Sequence, residues 1–329
     1  MEFWPGPMEG VMTPALIRAA RELELVSRWM TPFYRVNSGT PKQRILAAFL
    51  APFAGPLPVT VQLMGTDPAA AAQCAAAFAD LGVRSFNLNF GCPSRQVTSG
   101  GAGGGALRDP AAMLRMTETV KAAIPALPLS VKLRTGWNDP REQQTFLPAL
   151  ARSGCVDAFF VHYRTVKELY RPAEGRYQRL NLALELASPI PVILNGDVNT
   201  PEDAQTLLAA LPPAAGIMCA RGWLHDPFLL RRLEGKTAPD PESGREQLFR
   251  SVIRDNFPVA HAIELSNFLW GKENNPYFHR LIQLPPHSIL PPSLTASCAS
   301  CALRWAPRCT KSTIASTSAI AAKRRYVFS

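Results

Sequence analysis

No stretch of this chain reaches the roughly 18 consecutive apolar residues that could span a membrane. Its first residues, MEFWPGPMEG, also lack the charged head and apolar core of a secretory signal. The expectation is a cytoplasmic protein with no membrane association. A disulfide framework is excluded next. The seven cysteines (Cys74, Cys92, Cys155, Cys219, Cys298, Cys301 and Cys309) are an odd number scattered over 329 residues, which suits reduced thiols. Zinc ligation lacks its ligands, because Cys298, Cys301 and Cys309 have no matching pair and only His287 nearby, so no metal is expected. Acidic residues are missing from Pro285 onward, where six Lys/Arg stand alone. The formal net charge of +10 suits an anionic partner such as nucleic acid, yet that tail supplies six of the ten charges.

What the chain does have is 47% hydrophobic residues, 18% charged ones, and a regular alternation. Strands are predicted over 3–8, 26–33, 58–64, 84–90, 129–135, 157–163, 191–197 and 215–220, several of them nearly unbroken apolar runs, as parallel strands buried on both faces require. Helices are predicted between them from a repeated start signal, a capping residue followed by proline: Thr13-Pro14, Asp67-Pro68, Asp109-Pro110, Thr200-Pro201 and Asp226-Pro227. Eight such units indicate an α/β fold, a (β/α)₈ TIM barrel over residues 1–238. Residues 239–284 carry helical spacing with aromatics and form a small, truncated helical domain. Residues 285–329 are rich in Ser, Thr, Pro and Ala without periodicity, and read as a basic tail that is disordered or aberrant.

Barrel chemistry sits at the C-terminal strand ends. Those ends carry Pro7-Met8-Glu9, Arg35, Gln62, Asn89 to Cys92, Lys132 to Arg134, His162 to Arg164, Asn195-Gly196-Asp197 and Ala220-Arg221-Gly222. Taken singly, the cations could be a solvated rim and His162 a core histidine. Together they form a polar, cationic ring. Its last two segments, NGD and ARG, lie where barrels build phosphate sites, and Gly196 and Gly222 permit close backbone approach. SGGAGGG (99–105) is a poor dinucleotide fingerprint and reads as a mobile loop beside Cys92, able to close over a substrate. Cys92 itself, in NFGCPS, has no histidine beside it in sequence to make it a nucleophile.

PGPMEGVMT, VQLMG, NLNFGCPS, SVKLRTGW, VHYRT and ILNGDV occur in this order at these strand ends. Together they resemble the tRNA-dihydrouridine synthase family, and PMEGV with NFGCPS is most similar to its bacterial C-type branch, which acts at D-loop position 16. The resemblance spans about residues 3–233, continues faintly over 242–284, and stops after Leu284. It implies a barrel that binds FMN, a helical domain that helps hold tRNA, and reduction of a D-loop uridine with NADPH as the reductant. By motif position, Pro7, Met8, Glu9, Gln62, Lys132 and His162 would contact the flavin. Asn195, Gly196, Asp197, Ala220 and Arg221 would hold its phosphate end. Cys92 would donate a proton, Asn89 would position the uracil, and Arg35, Arg134 and Arg164 would meet RNA. The resemblance implies no obligate protein partner, and a monomer is expected.

That role suits an unactivated thiol, since a cysteine with a pKa of about 8.5 stays protonated at neutral pH and can act as a general acid. Three departures stand out: Tyr163 occupies a usual glycine position, adding bulk near flavin or substrate; Ala220 replaces another glycine; and the helical domain fades into the Pro285–Ser329 tail, which would replace the family's last helices. Two alternatives stay open at this level. One is an FMN barrel acting on a free pyrimidine-like molecule. The other is a tRNA-binding descendant with impaired catalysis.

Overall fold

A computed structural model describes residues 1–37, 41–254 and 257–290. The alternation becomes nine parallel strands: β1 (Glu2–Pro5), β2 (Trp29–Met30), β3 (Tyr34–Arg35), β4 (Val59–Met64), β5 (Phe86–Phe90), β6 (Leu129–Arg134), β7 (Ala158–His162), β8 (Val192–Asn195) and β9 (Gly216–Cys219). The ladder runs β1-β9-β8-β7-β6-β5-β4-β2, with β3 also on β4. β2 and β3 therefore share one barrel position. Met30 pairs Thr60 and Tyr34 pairs Leu63, so one strand takes four steps where its neighbour takes three. A one-residue bulge results. It falls at Thr31-Pro32-Phe33, where Pro32 has no N–H to give and the buried Thr31 hydroxyl accepts from Gln62 N–H at 3.1 Å.

Eight positions thus make a nearly closed TIM barrel, as the sequence predicts. Among the described residues no ladder joins β1 to β2. Arg28 spans that seam instead, ion-paired to Glu2 at 2.8 Å and lying 4.8 Å from the centre of the Trp4 ring.

Four of the five predicted helix starts hold as written, for the helices Pro14–Glu22, Pro68–Asp80, Pro110–Ala123 and Pro201–Ala210. In each, the capping oxygen takes a first-turn N–H, an interaction worth about 1 kcal/mol. The fifth differs. The helix after Asp226-Pro227 begins only at Leu229, because the buried Asp226 carboxylate closes a turn on Phe228 N–H and pairs with Arg232 at 2.8 Å.

The barrel interior divides in two. Met30, Phe160, Ile193 and Met218, with Trp4, fill one side with apolar volume. Gln62, Asn87 and Ser130 give β4 to β6 a hydrogen-bonded polar side.

After the barrel come the helices Pro241–Ile253, Val259–Trp270 and Phe278–Leu281. Phe249, Trp270 and Tyr277 form their core, with ring centroids 4.4 to 5.6 Å apart. The Arg18 guanidinium, on a barrel helix, reaches the Ser251 carbonyl at 3.1 Å and ties them to the barrel. The described residues run six positions into the tail expected from Pro285. Ile289 pairs with Pro258 in an antiparallel bridge, and Leu290 is buried. The rest of the expected tail, 291–329, lies outside the described residues, and so do Cys298, Cys301 and Cys309. Among the described residues no helix is long and apolar enough to cross a membrane.

Candidate active site

The C-terminal strand ends enclose a cleft that opens to solvent, with a cavity volume of about 150 Å³. Of the residues expected there, Pro7, Met8, Glu9, Asn89, Cys92, Lys132, Arg134, His162, Asn195, Gly196, Asp197, Ala220 and Arg221 line it. Gln62, Arg35 and Arg164 do not.

Gln62 lies one layer beneath the cleft, fully buried. Its Nε2 donates to Asn87 Oδ1 at 2.8 Å and toward Met30 Sδ at 3.3 Å, and its Oε1 accepts from Asn89 Nδ2 at 2.8 Å. Both amide hydrogens are thus taken inside the barrel, and Gln62 supports Asn89 from below. Asn89 in turn accepts through Oδ1 from the N–H groups of Gly91 (3.0 Å) and Cys92 (2.9 Å). This shapes the turn that follows β5 and fixes where Cys92 sits.

The last three glycines of the run behind Cys92 are packed as a wall, while Ser99 and Gly100 are exposed. Gly103–Arg108 forms a 3₁₀ turn in which Gly103, Gly104 and Gly105 are buried, and Gly104 N–H donates to the Cys92 carbonyl at 2.9 Å. A Cβ on Gly103 would lie 2.7 Å from Val97 and 3.0 Å from the Cys92 Cβ, and one on Gly104 would lie 2.6 Å from Val166. Flexibility is not why these glycines are there; the backbone comes too close for side chains. Burial pushes the Cys92 thiol above its ordinary pKa, opposed by the Ser94 backbone and the charges of Lys132, Arg134 and Arg35. The thiol therefore keeps its proton at neutral pH.

Lys132 lines the cleft and makes no hydrogen bond or ion pair with the described residues. Burial, helped by the charge of Arg134, brings its pKa down to about 8. Arg134, expected at RNA, is only 2% exposed. It donates to the carbonyls of Gly91 (3.0 Å), Thr165 (2.8 Å) and Leu169 (2.7 Å), binding the loops after β5 and β7 together. Arg164, also expected at RNA, is 3% exposed, donating to the Arg171 carbonyl and pairing with Asp197. Both spacings put a cation at a strand end but could not show that it turns inward. Arg35 is exposed, its guanidinium 5.8 Å from the centre of the Phe33 ring.

His162 Nδ1 accepts from Arg164 N–H at 3.2 Å, so the ring proton sits on Nε2. Burial, with Arg134, Lys132, Arg164 and Arg221 around it, holds its pKa well below the ordinary histidine value. It is a neutral donor. The Tyr163 hydroxyl donates to Asp197 Oδ2 at 2.6 Å, and burial together with that carboxylate raises its pKa to about 12. Asp197 is left-handed at φ +49° and also takes Arg221 at 3.0 Å. Gly196, at φ +117°, has no room for a Cβ, which would sit 2.7 Å from the Tyr163 ring. Tyr170 was missed from the sequence. It lines the cleft with the guanidiniums of Arg134 and Arg221 within 5.4 and 5.3 Å of its ring centre.

The donor set fits a ring system with an anionic end. An ammonium with no partner among the described residues and a neutral imidazole N–H face one part of the cleft. Arg221 and the close-packed Gly6 and Gly222 face the other, where a Cβ on Gly6 would meet Ala220 at 2.7 Å.

Comparison with known proteins places these features in a lineage. The model of the dihydrouridine synthase (Dus) family matches residues 5–256. A probable tRNA-dihydrouridine synthase of Rhodobacter capsulatus is 33% identical over 224 residues, covering 66% of this chain and 67% of the relative. A tRNA-dihydrouridine(16) synthase of Haemophilus influenzae is 29% identical over 242 residues, covering 71% and 77%. Among solved structures, a variant of NCR from Zymomonas mobilis shares the fold with a TM-score of 0.51 at 14% identity, covering 74% of this chain and 93% of that one. Family match, sequence relatives and barrel agree, and the chain belongs to the dihydrouridine synthase family.

Proposed function

We propose that this protein reduces a uridine in the D-loop of tRNA to 5,6-dihydrouridine, with FMN held in the cleft and NADPH as the reductant. The observation that carries the reading is Cys92: a protonated thiol, fixed by Asn89 through two backbone N–H groups, sharing its cleft with an ammonium that has no partner among the described residues. Relatives named as acting at position 16 favour that uridine.

When bound, the flavin supplies the hydride that one carbon of the uracil C5=C6 bond receives. The chain's residues do the rest. Cys92 Sγ holds its proton through the neutral range and delivers it to the other carbon as a general acid, a step worth about 10² to 10⁴ in rate. Lys132 places positive charge where negative charge develops, and its burial strengthens that attraction. His162 Nε2–H gives a neutral donor. Asn195, Gly196, Asp197, Ala220 and Arg221 take the phosphate end, with Pro7, Met8 and Glu9 against the ring. Gln62 acts from below, through Asn89. Asn89 keeps one Nδ2 hydrogen free for the uracil, and exposed Arg35 is positioned for RNA phosphates. The barrel (1–238) is the catalytic unit, and the helices that follow are its tRNA-binding part. Reaching the flavin requires the uridine to leave its stack, at a cost of a few kcal/mol.

The test is mass-spectrometric mapping of dihydrouridine in tRNA from cells with and without the gene. Loss of one D-loop dihydrouridine on deletion, restored by the parental gene, is expected. An unchanged map would refute the reading.

A further inference from the structure

Below the cleft, β4, β5 and β6 put Gln62 opposite Asn87 and Asn87 opposite Ser130 on one rung of the barrel. Gln62 and Asn87 are both 0% exposed. Their hydrogen bonds all run one way. Ser130 Oγ donates to the Phe86 carbonyl at 3.1 Å, and Asn87 Nδ2 donates to Ser130 Oγ at 2.8 Å. Gln62 Nε2 donates to Asn87 Oδ1, and Asn89 Nδ2 donates to Gln62 Oε1, each at 2.8 Å. The last links are the N–H groups of Gly91 and Cys92, which donate to Asn89 Oδ1.

Both ends of this chain are backbone groups. A carbonyl can only accept and an amide N–H can only donate, so the direction is set from both sides. Turning any one amide over would put donor against donor on one side and acceptor against acceptor on the other, among buried groups. Asn89 therefore cannot choose its orientation at the cleft alone; it is chosen for it three residues further down. We infer that Asn87 and Ser130 are positioning residues for Cys92, acting through Gln62 and Asn89 to hold the thiol where the proposed proton transfer needs it. The purpose rests on the proton-donor reading of Cys92. The linkage does not.

Alkylation of the full-length protein by iodoacetamide, read peptide by peptide across the neutral to alkaline range, tests it together with hydrogen exchange at Gly91 and Cys92. Asn87→Leu keeps the volume and removes both of its side-chain bonds; Ser130→Ala removes the two links at the far end, to Asn87 and to the Phe86 carbonyl. Asn87→Leu is expected to label Cys92 about fivefold faster and Ser130→Ala about twofold, with exchange protection at 91–92 reduced and Cys155 labelled at the parental rate. Thr117→Val is the structural control. It removes a buried bond to the Met113 carbonyl, 2.8 Å long, on the helix Pro110–Ala123. Parental labelling and protection in both Asn87→Leu and Ser130→Ala overturn the inference. An equal gain in Thr117→Val overturns it as well. If Asn87→Leu does not fold, parental behaviour of Ser130→Ala is sufficient to overturn it. No readout depends on dihydrouridine, so the linkage and the enzymatic reading fail separately.

Discussion

The Tyr163 hydroxyl donates to Asp197 Oδ2 at 2.6 Å, joining the end of β7 to the turn after β8. That carboxylate also takes Arg164 and Arg221, so one acid offsets two cations. Tyr163→Phe keeps the ring against Gly196 and removes only the bond. A hydrogen bond to a charged group contributes about 1.5 to 3 kcal/mol, and partial exposure here lowers the expected loss to about 1 kcal/mol. Thermal unfolding should show a fall of about 2 to 4 °C.

Cys92→Ala removes the proposed acid without leaving a buried polar group unpaired. Dihydrouridine formation on purified tRNA should fall by about 10² to 10⁴, with the melting temperature close to the parent's. Full activity in the variant would end the role given to the thiol while leaving the flavin site in place.

Lys132 gives a pH signature whose sign is fixed. A lysine at about 8 in the folded chain and about 10.4 unfolded is held at a cost wherever it is charged. Below pH 8 the full cost is present. Between about 8 and 10.4 the unfolded chain binds more protons than the folded one, so stability from this group rises with pH. Lys132→Met should therefore be more stable than the parent at neutral pH, by roughly 1 to 3 kcal/mol after allowing for partial solvent access. The gap should close as pH climbs toward 10.4. Urea titrations at several pH values measure it, and a pH-independent difference would contradict the shift.

Gly104→Ala tests the wall behind Cys92. The added methyl meets the buried Val166 side chain at 2.6 Å and the Cys92 backbone carbonyl at 3.0 Å. Overpacking of this kind costs about 1 to 3 kcal/mol, and chemical denaturation should register it. A freely moving loop would absorb the same methyl with no loss.

The barrel was legible because both of its periods were. Apolar runs marked the strands, and cap-plus-proline pairs marked four helix starts to the residue. Spacing located which residues reach the strand ends, but the direction of long side chains was hidden. Arg134 and Arg164 turn inward onto loop carbonyls that are distant in sequence. Asn87 was visible in principle: in FNLNF it shares the period-two face of Asn89, a polar pair in an otherwise apolar strand. Tyr170 carried no local signal, because its place depends on how the loop after β7 folds back over Arg134.

The seam between β1 and β2 has a dynamic consequence. A sheet that closes by a side-chain bridge keeps two free edges, and the strands there give up fewer backbone bonds to separate than any interior pair. Opening of the cylinder is expected to be easiest along that line, which hydrogen exchange would read. β1 leads directly into Gly6, Pro7 and Met8 on the cleft wall. The wall carrying Gly6, Pro7 and Met8 thus adjoins the seam, whereas the turn that presents the thiol follows β5, two ladder steps in from β2.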